Sequence, residues 1–250
     1  MLTDPKTALI VGATSAIAHE TARRFAAEGA ALFLAARSPE KLEAVAADLR
    51  ARGAARVETA PFDADGLSAQ DTLVEAVCGA FPDGLDVALV AYGTLPDQPA
   101  MEADADAAAA AFQTNATSVI ALLTRLANLM EKQGRGTLGV ISSVAGDRGR
   151  PSNYVYGAAK GAVSLFSQGL RARLSKKGVR VVTIKPGFVD TPMTAHLPKN
   201  ALFADPADVG AKVHRALTKG GDVVYVPGFW RPIMAAVRAV PERVFKRLKL

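Results

Sequence analysis

Tyr156 and Lys160 stand four residues apart, and Ser143 precedes the tyrosine by thirteen. On a helix, residues four apart share a face, so the ammonium would lie beside the phenol. A free tyrosine ionises near pH ~10, too high for a good base at neutrality, and a positive neighbour lowers that value toward the working range. A serine at the end of an apolar run can hydrogen-bond the oxygen of a carbonyl or an alcohol. Together the three side chains could orient such an oxygen and exchange a proton with it. Each also has an ordinary structural use, as a helix-surface pair or a turn serine.

Their context is more specific. Ile141-Ser142-Ser143-Val144-Ala145-Gly146 is followed by Tyr156-Gly157-Ala158-Ala159-Lys160, and then by Ile184-Lys185-Pro186-Gly187-Phe188-Val189-Asp190-Thr191-Pro192-Met193. In this order the segments resemble the active-site signature of the short-chain dehydrogenases/reductases. The resemblance runs from Thr7 to about Val226 and takes in Asp63 after the third strand and Asn115 in a central helix. It implies an NAD(P)-dependent oxidoreductase that interconverts a carbonyl and a secondary alcohol by hydride transfer. By this resemblance Tyr156 exchanges the proton, Ser143 orients the substrate, Lys160 also holds the nicotinamide ribose, and Asn115 supports a water relay. It further implies that Ala91, Gly93, Pro186, Gly187, Val189 and Thr191 contact the cofactor, and that the chain forms a homodimer or homotetramer. The sequence departs from the family at Val90-Ala91-Tyr92-Gly93, where Asn-Asn-Ala-Gly is usual. A catalytically silent NADP-binding sensor is the alternative that this departure raises.

The first strand ends in Gly12-Ala13-Thr14-Ser15-Ala16-Ile17-Ala18. A loop entering a helix at this place can seat a pyrophosphate on the helix N-terminus, and glycines let the backbone approach it. Only Gly12 is a glycine here, Ala16 and Ala18 replacing two others, so by itself the loop fits an ordinary strand-to-helix turn equally well. Gly12, Thr14, Ser15, Ala16 and Ile17 are the candidate phosphate contacts. The second strand ends in Ala35-Ala36-Arg37-Ser38, with no acid to pair with ribose hydroxyls. Arg37 can instead bind a 2'-phosphate through charged hydrogen bonds, which favours NADP(H) over NAD(H).

The elements that must position these residues are legible in outline. Apolar runs of strand length recur at 7–11, 31–36, 56–61, 87–91, 137–142, 179–185 and 222–226, separated by longer stretches of helical period. Strands alternating with helices imply a doubly wound, Rossmann-type α/β domain with a seven-stranded parallel sheet, and a site at the carboxyl ends of the strands. Residues 107–124 carry no charge, but polar groups in the middle make a buried core helix the expectation rather than a membrane span. One domain, 1–226, is expected, followed by a basic amphipathic tail, 227–250.

Composition limits the rest. The single cysteine, Cys78, excludes an intrachain disulfide, and the three scattered histidines give no metal-ligand spacing, so no metal is expected. The tail holds six basic residues against Glu242, which is most of the net charge of +6, and the near-neutral body argues against nucleic acid. At 100° per residue Ile233, Met234, Val237, Val240, Val244, Phe245 and Leu248 share one face of the tail, opposite Arg238, Arg243, Lys246, Arg247 and Lys249, with Pro241 able to divide it. Such a face suits the protein body or a peripheral membrane contact through 229–250. The polar N-terminus has no signal-peptide pattern, so the cytoplasm is expected. The loop 91–95 and the segment 224–250 are also similar to those of decaprenylphosphoryl-keto-pentose reductases. That likeness implies a lipid-linked ketose as an alternative to a small carbonyl or alcohol substrate.

Overall fold

A computed structural model describes residues 6–248; residues 1–5, and with them most of the polar N-terminus, lie outside it, as do Lys249 and Leu250 of the expected tail. The seven strands are β1 (Thr7–Val11), β2 (Ala31–Ala36), β3 (Arg56–Pro61), β4 (Val87–Val90), β5 (Gly136–Ile141), β6 (Val179–Pro186) and β7 (Val223–Val226). All six pairings are parallel, in the order β3-β2-β1-β4-β5-β6-β7. The expected runs therefore all form strands, with Ala91 and Ser142 just past the ends of β4 and β5. The order reverses between β1 and β4, which opens the crevice where such sheets bind ligands.

Period-two side chains explain why both faces are covered. Ala8, Ile10, Leu32, Leu34, Leu89, Val182 and Ile184 point to one face, where α1 (Ala16–Ala27), α2 (Pro39–Ala51) and α8 (Pro206–Lys219) pack. Leu9, Val11, Phe33, Ala88, Val90, Leu138 and Val181 point to the other, under α3 (Ala69–Ala80), α6 (Ser118–Gln133) and α7 (Tyr154–Leu174). Caps agree with the chain's local chemistry. Ser38 Oγ accepts from Lys41 N ahead of Pro39, and Asp205 Oδ1 accepts from Ala207 N at the start of α8.

One sequence expectation needs correction. The uncharged stretch 107–124 is not one buried helix: α4 (Gln98–Ala103) leads to α5 (Ala105–Phe112), which buries none of its residues, then a π-helical turn (Gln113–Thr117), and only then the core helix α6. A run of alanines has too little side chain to demand burial, so α5 lies at the rim. In the tail Pro241 does divide the helix, giving α9 (Trp230–Ala239) and α10 (Glu242–Phe245). Its single apolar face is thereby divided. Trp230, Met234 and Phe245 are buried, while Ile233, Val244 and Leu248 stay exposed. Arg148 clasps the break, donating to the carbonyls of Val237 (2.8 Å) and Val240 (2.5 Å), pairing with Glu242 and stacking 3.7 Å over the Phe245 ring.

A close helix contact joins α1 and α8 at Gly210. A Cβ added there would stand 2.5 Å from Glu20 Cβ, 2.8 Å from Glu20 C and 2.9 Å from Thr21 N. Glycine to alanine inside a helix ordinarily stabilises by up to about 1 kcal/mol. Here backbone would have to move, so Gly210→Ala is expected to destabilise by about 1–3 kcal/mol. A urea midpoint at or above that of the wild type would show that the two helices do not need this approach.

Candidate active site

At the carboxyl ends of the strands lies a cavity of about 780 Å³. Its wall contains every catalytic and cofactor residue expected from the sequence except Asn115. Ser143 reaches it from the turn after β5, which continues into a 3-10 turn (Val144–Asp147). Tyr156 and Lys160 come from the first turns of α7.

The turn and the helix touch through glycines. A Cβ on Gly146 would stand 2.6 Å from Gly161 N, and one on Gly157 would stand 2.9 Å from the carbonyl oxygen of Ala145. Ser142 locks the contact by donating its hydroxyl to the carbonyl of Lys160 (2.9 Å), and it also bonds Ser164. Ser143 Oγ accepts from Ala145 N (3.1 Å), which leaves its proton free to be donated into the cavity. Lys160 is buried, its Nζ donates to the carbonyl of Ile141 (3.1 Å), and it lies 5.7 Å from the centre of the Tyr156 ring.

Burial controls both titrating groups. It pushes the Tyr156 phenol up to about 12, against a smaller downward pull from the Ser143 hydroxyl. It drives the Lys160 ammonium down to about 8. The expected lowering of Tyr156 by Lys160 is therefore not what the protein's own groups produce, because removal from water outweighs a charge that is itself disfavoured at this depth.

Asn115 stands behind the cavity wall. It sits in the π-helical turn, where its Oδ1 accepts from Thr94 N (2.9 Å) and its Nδ2 donates to Thr94 Oγ1 (3.2 Å) and the carbonyl of Ala111 (3.0 Å). It holds the loop after β4 from behind and does not reach the cavity surface. Gly93 in that loop has φ +154°, and a Cβ there would meet Asn115 Oδ1 at 2.6 Å and Lys160 Nζ at 3.3 Å. Tyr92, beside it, bonds Ser118 through its hydroxyl (3.2 Å) and packs edge-on to Phe62. A half-buried aromatic thus occupies the region where the family pattern has asparagine.

At the other end of the cavity, α1 presents the open N–H groups of its first turn, with no acid in that turn to compete for an anion. Gly12 has φ +82°, and a Cβ there would meet Tyr92 N at 2.7 Å, so its glycine is required by the approach of the loop after β4. Ala16 is half-buried at the cavity wall and Ala18 is inside the core, so the Ala18 methyl does not enter the cradle. Arg37 is exposed on the rim, with no carboxylate within 4 Å among the described residues. A helix N-terminus and a free guanidinium along one cavity fit a phosphate-bearing dinucleotide.

Other wall residues had no signal in the sequence. Arg150, Asn153 and Trp230 line the same cavity. Asp147, whose side chain is 2% exposed, pairs with Lys185 and accepts from Tyr225 OH (2.7 Å), tying the turn after β5 to β6 and β7. These partners are 38 and 78 residues away in the chain, beyond any local spacing rule.

The fold and site are those of a dinucleotide-dependent oxidoreductase. Comparison with known proteins makes this specific: residues 6–202 match the short chain dehydrogenase family, and the chain belongs to that family of NAD(P)-dependent oxidoreductases. It is 43% identical over 240 residues to an uncharacterized oxidoreductase of Mycobacterium tuberculosis, covering 96% of each chain. It is 38% identical over 245 residues to one from Streptomyces coelicolor, covering 98% of this chain and 96% of the other. Among solved structures, levodione reductase superposes with a TM-score of 0.82 at 26% identity, covering 92% of this chain and 98% of that one. A short-chain type dehydrogenase/reductase from Mycobacterium marinum gives 0.82 at 22% identity, covering 90% and 95%, a likeness of fold.

The Lys160 environment has a measurable consequence. Between about 8 and its ordinary value of 10.5 the unfolded chain binds the lysine proton and the folded chain does not, so stability rises with pH across that window. Relative to Lys160→Met, the wild type should gain about 2 kcal/mol between about pH 7 and about pH 9.5, read from urea midpoints of the cofactor-free proteins. A gap between the two proteins that does not change with pH would show that the lysine is not desolvated.

Proposed function

We propose that the chain is an NADP(H)-dependent reductase of a small carbonyl compound, working reversibly, with Tyr156 as the proton donor in the reducing direction. The observation that carries this is the convergence of the Ser143 and Tyr156 hydroxyls on one cavity wall with Lys160 buried beside them. A phenol held near 12 keeps its proton at neutral pH, which suits donation to a developing alkoxide. Ser143, which accepts from Ala145 N through one lone pair, donates its proton to the same oxygen and orients it. Lys160 supplies positive charge behind the phenol as the proton leaves.

NADP(H), when bound, supplies or takes up the hydride. The first-turn amides of α1 with Thr14 and Ser15 would hold its pyrophosphate, Arg37 its 2'-phosphate and Asp63 its adenine. Gly93 and Lys160 would hold the ribose, and Pro186, Gly187, Val189 and Thr191 the nicotinamide. We infer also that copies associate through α7, where Ala158, Gly169, Ala172 and Leu165, the last 71% exposed, form a stripe that would otherwise face water. Light scattering should give a mass above 26.0 kDa, reduced by Leu165→Asp; a monomer would rule the association out.

The direct test follows NADPH oxidation with a panel of ketones. Tyr156→Phe should lower kcat to less than about a tenth while NADPH affinity, read by fluorescence, stays near that of the wild type. Retention of more than that would remove Tyr156 from the chemistry. Charged hydrogen bonds contribute about 1.5–3 kcal/mol, so Arg37→Ala should reduce the preference for NADP(H) over NAD(H) by about ten- to a hundredfold. Equal kcat/KM with both cofactors in the wild type would sink that assignment.

A further inference from the structure

Among the described residues, three buried side-chain polar atoms have no hydrogen-bond partner: Arg150 Nε, Asn153 Oδ1 and Trp230 Nε1. All three belong to residues that line the active-site cavity. A buried polar group left unpaired is uncommon, and each instance asks for an explanation. All three sit in the wall of one cavity, just beneath its surface.

Arg150 is the most demanding. Two residues earlier in the same loop, Arg148 spends its guanidinium on three tail carbonyls and Glu242. Arg150 has no such partner and makes no ion pair among the described residues. Burial alone acts on it and lowers its pKa, yet a guanidinium does not give up its proton in a protein. It is a cation without a counter-charge. Asp97, the acid on that side of the cavity, is engaged in capping α4 through Ala100 N (3.1 Å).

Trp230 is 5% exposed and can only donate through its indole N–H. It is seated on the backbone of Gly187, where a side chain would collide with Nε1. Gly187 follows β6, three strand spacings from β1 in the sheet order, so the indole stands ~14 Å from the strand whose end feeds the phosphate-binding turn. The indole therefore stands on the side of the cavity away from the phosphate-binding turn.

We propose that Arg150 and Trp230 form a substrate subsite for an anionic group, a carboxylate or a phosphate ester, carried by the carbonyl compound, with Asn153 Oδ1 accepting from a hydroxyl of the same ligand. The carbonyl rests on the proposed reductase activity, whereas the anion rests only on the unpaired wall atoms. Discrimination then comes from the penalty of leaving Arg150 unpaired when a neutral ketone enters.

Trp230 is the only tryptophan, so its emission reports on this corner without any turnover. The probes are 4-oxopentanoate against its neutral methyl ester, and dihydroxyacetone phosphate against dihydroxyacetone, titrated into the full-length protein. At least one anion should give a saturable change with an affinity about ten- to a hundredfold above its neutral counterpart, and which pair responds separates carboxylate from phosphate. Arg150→Gln should bring that ratio close to one, and Arg150→Lys should keep part of it. Neutral probes binding as tightly as the anions, no saturable response to either anion, or a preference that survives Arg150→Gln would each overturn the subsite. The same pairs in the NADPH assay separate the two readings, since loss of turnover with intact anion binding strikes only the proposed reductase.

Discussion

Backbone contact between the turn after β5 and the first turns of α7 decides where Ser143 meets Tyr156, and the rest of the site is arranged around it. The contact exists because Gly146, Gly157 and Gly161 have no side chains to hold the two segments apart. Ser142 then bridges them by a buried hydrogen bond to the carbonyl of Lys160. An added methyl at this junction would cost about 1–3 kcal/mol in overpacking, and a shift of about 1 Å in a catalytic pair can cost on the order of a hundredfold in rate. Precision of the hydroxyl pair is therefore set by main chain, which is stiffer than any side-chain arrangement.

Close docking also buries Lys160 and draws Tyr156 partly out of water, and this moves both toward their neutral forms. The tyrosine keeps its proton and the lysine holds its charge less firmly. The two effects act in the same sense on a proton donor, since a phenol that does not ionise spontaneously gives its proton only when an oxyanion develops against it. Lys160 is steadied by the carbonyl of Ile141 at the end of β5, so one strand end positions both the serine and the ammonium. Asn115 contributes from behind by fixing Thr94 and the loop that carries Gly93.

The C-terminal segment is part of this cavity. Arg148 gathers the carbonyls left open where Pro241 ends α9, and Met234 and Val144 pack in the same small cluster as Trp230. Phe188 stands 5.7 Å from the Trp230 ring and 5.2 Å from Phe203, which links the tail to the segment after Thr191. Changes far along the chain can thus reach the substrate wall through a few aromatic contacts.

What could be read from the sequence was what depends on neighbours along the chain. Period-two and helical patterns mark all seven strands and the covering helices, since each strand must bury both faces. Ser143, Tyr156 and Lys160 were legible because a strand end and a four-residue helical spacing bring them together locally. Arg37 and the turn at Gly12 were placed at the cavity by the same strand-to-helix logic. Tertiary structure alone decided what depends on distant partners or on depth. Nothing in the spacing distinguishes Arg148, consumed by the tail, from Arg150, left facing the cavity. The direction of the Tyr156 shift follows from water excluded by α7 and its surroundings, a quantity that no motif encodes. The tail's apolar stripe gave its chemistry but not its occupant, because Pro241 and Arg148 act together only after the chain has folded back on itself.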